Sequence, residues 1–177
     1  MPIDHPAAAR LKAQFPALAL KGAQFKGDTQ IVIPKASLLE VITFLKTDPT
    51  LNYNFLADFT AVDYLNFPGA PKDGRFGLVY VLSSIPASAG EGTQRLILRV
   101  FLNEDHLEVE SLVHLYAGAE WMEREVYDMF GIQFLHHPDL RRILTWDTFQ
   151  ANPLRKDYPV TGRGEREAFP VITRESS

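Results

Sequence analysis

Two apolar segments joined by a loop rich in proline, glycine and serine constrain the fold of this chain more than any other feature. The first, RFGLVYVLSS at residues 75–84, is apolar on both faces, which is typical of a strand in the middle of a sheet. The second, RLILRVFLN at residues 95–103, has leucine or valine at every other position and a partly polar opposite face. The loop SIPASAGEGTQ lies between them. We therefore predict an antiparallel hairpin at the centre of a sheet.

Periodicity predicts most other elements before residue 137. Helices are expected from His5 to Phe15, over KASLLEVITFLKTD at residues 35–48, and from Ala119 to Phe130. Strands are expected in residues 29–34, 54–65 and 106–110. The predicted class is α+β: a mostly antiparallel sheet packed by two or three helices, forming one domain over residues 1–137.

The C-terminal part of the chain, residues 138–177, is expected to be an extended arm. It contains four prolines and shows little regular periodicity. A segment of this length without a core of its own must lie along a surface or be disordered. We predict that this arm binds a partner.

Composition excludes several classes of function. The 177 residues carry a net charge of −4, which argues against nucleic-acid binding, and they contain no cysteine to hold an iron–sulfur cluster. The longest apolar run, about FGLVYVL, is far shorter than the ~20 residues of a spanning helix, and the N-terminus does not resemble a signal peptide. Nucleotide-binding and GxSxG signatures are absent. We expect a cytoplasmic protein without a membrane span.

The segment EWMEREVYDMFGIQF concentrates charge on the third predicted helix. Much of its pattern is structural, since Glu120 and Arg124 are spaced as an exposed i,i+4 pair and Gly131 stands where a helix C-cap is expected. One face forms an apolar stripe that predicts core packing: Met122, Val126, Met129 and Phe130.

The second face of this helix carries Trp121, Arg124, Glu125 and Asp128, and four interpretations compete. Glu125 and Asp128 are candidates for an acid/base pair, as in a stand-alone hydrolase. A metal site at His136, His137 and Asp139 is disfavoured by the ligand spacing. A solvated helix face is the ordinary explanation, but the tryptophan and the later pair of arginines fit a docking surface better. We favour docking.

Three motifs, EREVYDMFGIQF, HPDLRRIL and PLRKDYP, occur in an order and spacing that resemble the 30 kDa subunit family of respiratory complex I, known in bacteria as the C subunit of NADH-quinone oxidoreductase. The close resemblance covers residues 119–159. One position departs from the family, which often has a small residue such as glycine where this chain has His136. A glycine there would adopt a positive φ without strain.

The resemblance implies a non-catalytic scaffold subunit in the hydrophilic arm of a proton-pumping NADH:quinone oxidoreductase, peripheral on the cytoplasmic side of the bacterial inner membrane. It implies docking on the 49 kDa-type subunit that forms the quinone pocket and on its cluster-bearing neighbours. No flavin, cluster or quinone is expected in this chain, since flavin and iron–sulfur clusters belong to partners. Equivalent subunits of membrane-bound hydrogenases or of a ferredoxin-dependent relative remain alternatives.

Motif matching assigns sixteen signature or interface residues. The first motif supplies Glu123, Arg124, Glu125, Asp128 and Gly131. The second supplies His137, Pro138, Leu140, Arg141 and Arg142. The third supplies Leu154, Arg155, Lys156, Asp157, Tyr158 and Pro159. We expect the acids of the first motif to pair with Arg141 and Arg142, and the third motif to lie on a partner.

Overall fold

The computed structural model describes residues 5–86 and 93–164. Three helices and seven strands follow one another along these two ranges, together with 3₁₀ turns at Lys35–Ser37 and Glu104–His106. The order is α1 (Pro6–Gln14), β1 (Lys21–Phe25), β2 (Asp28–Val32), α2 (Leu38–Thr47), β3 (Phe55–Asp63), β4 (Phe76–Ser84), β5 (Gln94–Leu102), β6 (Glu108–Glu110), α3 (Ala119–Phe130) and β7 (Gln133–Leu135).

The main sheet has the strand order β1-β2-β5-β4-β3. The predicted hairpin is confirmed, because β4 and β5 pair antiparallel from Phe76 opposite Leu102 to Ser84 opposite Gln94. Every other pairing in this sheet is also antiparallel except that between β2 and β5. Strand β1 was not predicted, since KGAQF is exposed along its whole length and has no apolar alternation to reveal it.

The helices cover one face of the sheet. The buried core combines inward-facing residues of β4 and β5, such as Tyr80 and Leu98, with Leu11 of α1, Leu45 of α2 and Val126 of α3. This arrangement confirms the predicted α+β class. Along the two described ranges, no helix is both long enough and apolar enough to cross a bilayer.

A second, two-stranded sheet lies beside α3. Strand β6 was expected from its sequence, but its pairing was not: it runs parallel to β7, with Val109 opposite Phe134. Glycine at the end of α3 makes this possible, because Gly131 has a φ of 78° and its N–H donates to the carbonyl of Tyr127. The chain therefore leaves the helix through the expected left-handed cap and turns at once into β7.

The segment after residue 137 packs on its own domain as far as the structure describes it. Leu140 packs against the core, and the backbone N–H of Leu154 donates to the carbonyl of Met129 at the end of α3. Residues 165–177, the rest of the predicted arm, lie outside the described residues. Over residues 138–164 the predicted arm therefore folds back onto its own domain. We call this range the fold-back segment.

Candidate docking site on helix α3 and the fold-back segment

Asp128 organises the fold-back segment. Its side chain is fully buried, and its Oδ2 accepts hydrogen bonds from three consecutive backbone N–H groups, those of Ile143, Leu144 and Thr145, at 2.8–3.0 Å. Its Oδ1 accepts from the Arg142 guanidinium at 2.6 Å and from the Thr145 hydroxyl. Burial raises the pKa of Asp128, but the hydrogen bonds from Thr145, Leu144 and Arg142 outweigh it and lower the pKa to about 2. The carboxylate is a structural anion in a nest of N–H groups.

The C-terminal carbonyls of α3 are satisfied by the same segment. The Asn152 side-chain amide donates to the carbonyls of Tyr127 and Asp128, and Arg142 donates to the Asp128 carbonyl as well. A helix leaves its last carbonyls without intrahelical partners, and a cation there also suits the helix dipole. The close approach needs a glycine at residue 131, since a Cβ atom there would lie 2.7 Å from the Asn152 Oδ1 atom.

Glu123 holds a different segment. It is 1% exposed, and its two oxygens accept hydrogen bonds from the Ser111 hydroxyl and the Leu112 N–H, both at 2.7 Å. Burial raises the pKa of Glu123 to about 7, against the opposing effect of these two hydrogen bonds. The prediction that Glu123 pairs with Arg141 or Arg142 is therefore wrong, because its oxygens face the turn before α3.

The raised pKa of Glu123 predicts a specific pH dependence of stability. The folded state holds this proton more tightly than the unfolded state, so stability falls as pH rises from about 4.5 to about 7 and then levels off. We expect wild type to lose roughly 2–3 kcal/mol relative to Glu123→Gln across this window. Urea unfolding of both proteins at pH 4.5, 6, 7 and 8 measures the difference between their free energies of unfolding. The titration of every group that the two proteins have in common cancels in this difference. A constant difference would contradict the prediction.

Arg124 does not form the exposed pair with Glu120 that its spacing indicates. It is buried, its Nε donates to the carbonyl of Arg141 at 3.2 Å, and its guanidinium lies 5.0 Å from the centre of the Trp121 ring. Trp121 itself is 61% exposed. Arg124 thus connects the second motif to α3 by a hydrogen bond, and its guanidinium packs against the ring of an outward-facing tryptophan.

The remaining residues of the second motif have separate roles. Arg141 is exposed and pairs with Asp139 at 2.8 Å, so of the two arginines only Arg142 pairs with an acid of α3. His137 donates through Nε2 to the carbonyl of Glu120 and accepts through Nδ1 from the N–H of Asp139. Pro138, next to it, is exposed. The expected network is thus reduced to one buried ion pair, Asp128–Arg142.

His136 occupies the position where the family often has glycine. Its φ is 63°, so the left-handed turn that a glycine would allow is present here with a histidine in it. The exposed ring lies 2.9 Å from a carboxylate oxygen of Glu110. His136 and His137 each contact protein groups, and within residues 5–86 and 93–164 no group of three or more candidate ligands is placed to hold a metal.

The third motif packs on this chain's own domain, and its contact with a partner stays a prediction. Arg155 pairs with Glu104 at 2.6 Å and with its neighbour Asp157, and the Lys156 N–H donates to the buried carboxylate of Asp63 at 2.8 Å. Arg75 joins the cluster through Asp63, Glu104 and Asp157 at 2.6–3.1 Å. The hydrogen bonds from Arg155 lower the pKa of Asp157 to about 2. Leu154, Lys156 and Pro159 keep exposed side chains, and the Tyr158 ring packs near Phe149.

The acid/base interpretation is wrong because the two carboxylates are in different environments. Glu125 is exposed, whereas Asp128 is buried and both of its oxygens are engaged by five donors. A general acid or base must reach a substrate proton, and Asp128 reaches only its own chain. Sequence reasoning missed Asp63, Arg75, Glu104, Thr145 and Asn152. Their partners lie far away in the sequence, so spacing alone carries no signal of these contacts.

The fold of the chain is shared with solved structures. One described as Nqo5 of a trypsin-resistant fragment (1-134) superposes with a TM-score of 0.64 and 32% identity, covering 76% of this chain and 99% of that chain. A chain of the membrane-bound sulfane sulfur reductase, an archaeal respiratory membrane complex, superposes with a TM-score of 0.63 at 20% identity, over 86% and 84% of the two chains. The second likeness shows the fold alone.

The sequence comparisons carry the assignment further. Residues 31–164 match the family described as respiratory-chain NADH dehydrogenase, 30 Kd subunit. The NADH-quinone oxidoreductase C subunit of Citrifermentans bemidjiense is 41% identical over 163 residues, covering 92% of this chain and 93% of that protein. The C subunit from Geobacter metallireducens is 38% identical over 90% and 91% of the two chains. The chain belongs to the family of the 30 kDa subunit of respiratory complex I.

Proposed function

We propose that this chain is a non-catalytic scaffold subunit in the hydrophilic arm of a proton-pumping NADH:quinone oxidoreductase. In this role it docks on the quinone-pocket subunit and on cluster-bearing neighbours, on the cytoplasmic side of the bacterial membrane. Electrons pass through flavin and iron–sulfur clusters held by partners, which fits a sequence without a cysteine thiolate. Family membership over residues 31–164 supports the proposal.

One observation carries the non-catalytic part of the proposal. Three charged side chains that a catalytic centre could use form hydrogen bonds within the chain instead: Asp128, Arg142 and Glu123. Among the outward-facing residues of α3 and the fold-back segment are two large apolar side chains, Trp121 at 61% and Leu144 at 63% exposure. Large outward-facing apolar side chains beside buried charge pairs are characteristic of a surface that docks on a protein.

Affinity purification of the tagged full-length chain from detergent-solubilised membranes of its source organism tests the proposal. We expect mass spectrometry to identify cluster-bearing and membrane-embedded subunits, and the eluate to reduce quinone with NADH. Recovery of hydrogenase subunits would instead assign the chain to a related complex. Recovery of the chain alone, under conditions in which a known complex survives, would overturn the scaffold proposal.

Replacing Trp121 tests the docking surface directly. We expect Trp121→Ala to reduce partner recovery by roughly tenfold or more, because exposed tryptophans that become buried at interfaces commonly dominate binding. The isolated chain should retain its melting temperature within a few degrees, since Trp121 is 61% exposed and gives up a contact with Arg124. Leu39→Ala, an exposed apolar residue on α2, is the matched control and should leave recovery unchanged.

A further inference from the structure

The face of the main sheet turned away from the helices carries apolar side chains that are only half-buried in the described structure. We call it the outer face. Its central row runs across all five strands through Lys21, Val32, Arg99, Val79 and Thr60, as the pairing register requires. One neighbouring row runs through Gln30, Ile97, Val81 and Asp58, and the row on the other side adds Phe101 and Gly77. The buried core does not include these apolar side chains, which are only half-buried.

The outer face is polar towards its edges, with Lys21 and Asp58, but its middle does not suit a surface that remains in water. A one-sided antiparallel sheet usually alternates apolar residues towards the core with polar residues towards solvent. Here Val32, Val79, Val81 and Ile97 surround the middle of the outward side of the sheet. Side chains of this kind in a contiguous patch mark a surface that is covered in the assembled state.

Arg99 stands at the centre of this apolar patch, on the central strand β5. Its one hydrogen bond within residues 5–86 and 93–164 runs from Nη1 to the Tyr64 hydroxyl at 3.3 Å. Its Nε atom is buried and has no acceptor. Arg75 and Arg142, by contrast, each lie 2.6–2.7 Å from a carboxylate. Arg99 is therefore a cation held in an apolar setting with most of its donors free along the described chain.

The aromatic side of the patch keeps Arg99 in this position. Tyr64 folds over the sheet beside Phe101, with ring centres 6.0 Å apart, and a Cβ atom on Gly77 would lie 2.9 Å from the Tyr64 ring. The glycine thus makes room for the tyrosine, whose hydroxyl reaches Arg99. The guanidinium is positioned before any partner arrives, which lowers the entropy cost of binding one.

We propose that the outer face is a second docking surface, occupied by a protein partner that inserts a carboxylate side chain against Arg99 among apolar contacts. This inference rests on the proposed scaffold function and adds a surface on the side of the sheet opposite α3. A guanidinium presents paired N–H donors that match a carboxylate, and the interaction strengthens once apolar surroundings exclude water.

The central residues of the patch belong to the part of the chain that matches the family. Residues 31–164 match the family, and this range contains Val32, Val79, Val81, Ile97 and Arg99 but not residues 165–177. The central residues of the patch therefore lie in the part of the chain that defines the family. We assign the occupant to a partner subunit, since residues 5–86 and 93–164 supply no acid to pair with Arg99.

Replacing Arg99 with an uncharged side chain of similar length tests the proposal. We expect Arg99→Met in the tagged full-length chain to reduce partner recovery from solubilised membranes by roughly tenfold or more, since the partner carboxylate loses its counter-ion. The melting temperature of the isolated chain should stay the same or rise, because no described acid is left unpaired. Arg95→Met is the matched control, on the same strand and face but exposed and 3.8 Å from Asp28, and it should leave recovery unchanged.

A photo-crosslinker identifies what covers the outer face. Benzoylphenylalanine in place of Thr60, an exposed residue of the central row, should crosslink to another subunit. A crosslink to residues 165–177, a crosslink to a second copy of the chain, or no crosslink in the assembled complex would overturn the inference. If wild type recovers partners and Arg99→Met recovers them equally, only the outer-face inference fails. If wild type recovers none, the scaffold function fails with it.

Discussion

Asp128→Asn is expected to destabilise the chain by about 3–5 kcal/mol, the usual cost of breaking a buried ion pair by removing one partner. The substitution keeps the shape of the side chain but leaves Arg142 without its counter-charge. It also turns one of two oxygens that accept five hydrogen bonds into a donor that faces N–H groups. For a chain of this size the melting temperature should fall by roughly 6–20 °C, as measured by calorimetry at pH 7.

The matched control for this prediction is Glu125→Gln, one turn earlier on the same helix. Glu125 is exposed, so its substitution should change stability by less than about 0.5 kcal/mol. The pKa of Asp128 is lowered to about 2 in the folded state. The stability that this carboxylate contributes is therefore complete above its unfolded pKa of about 3.9, and it is lost as pH falls towards 2. The gap between wild type and Asp128→Asn should therefore close in acid. Equal melting temperatures at pH 7 would refute the anchoring role.

Asp63→Asn is expected to loosen the third motif from the domain. The Asp63 carboxylate binds Arg75 through both oxygens at 2.7–2.9 Å and accepts the Lys156 N–H at 2.8 Å, so it joins β3 to the fold-back segment. Burial alone would raise the pKa of Asp63, but the hydrogen bonds from Arg75 and Lys156 lower it below the usual range. We expect a loss of roughly 2–4 kcal/mol, since Arg75 keeps Glu104 and Asp157 as partners.

Limited trypsin digestion with peptide mapping separates local release from global unfolding. Arg155 and Lys156 are trypsin sites inside the cluster, so cleavage there should be several-fold faster in Asp63→Asn than in wild type, at a temperature where both proteins are folded. Asp58→Asn on the same strand should digest like wild type, because the Asp58 carboxylate is exposed and accepts a hydrogen bond from the N–H of its neighbour Phe59. An unchanged rate at Arg155 and Lys156 in Asp63→Asn would mean that the cluster does not hold the segment.

The sequence predicted those parts of the fold whose signals are local. The alternation in β5 and the stripe on α3 each report a face that must be buried, and Gly131 marks the helix end because a left-handed cap favours glycine. Strand β1 escaped prediction because its exposed residues carry no such pattern. The parallel pairing of β6 with β7 was not predicted, because it depends on where the chain lies after it leaves α3.

The candidate site was predictable in its residues but not in its connections. The three motifs identified the family and most of the charged residues that matter, including Asp128, Arg142 and Arg155. They did not reveal that Glu123 faces Ser111, that Arg124 is buried against Arg141, or that Asp63 receives the third motif. Charge and spacing state which ion pairs are possible along a helix, whereas burial selects among them.

By itself, the sequence determined the fold class, the family and the absence of thiolate ligands, because each depends on residue types and their local order. Only the tertiary structure decided that Glu123 and Asp128 hold the chain's own segments and that Arg99 has no acid beside it within residues 5–86 and 93–164. The reason is physical: the strength of a charge pair depends on how much water surrounds it, and the fold alone sets that exposure.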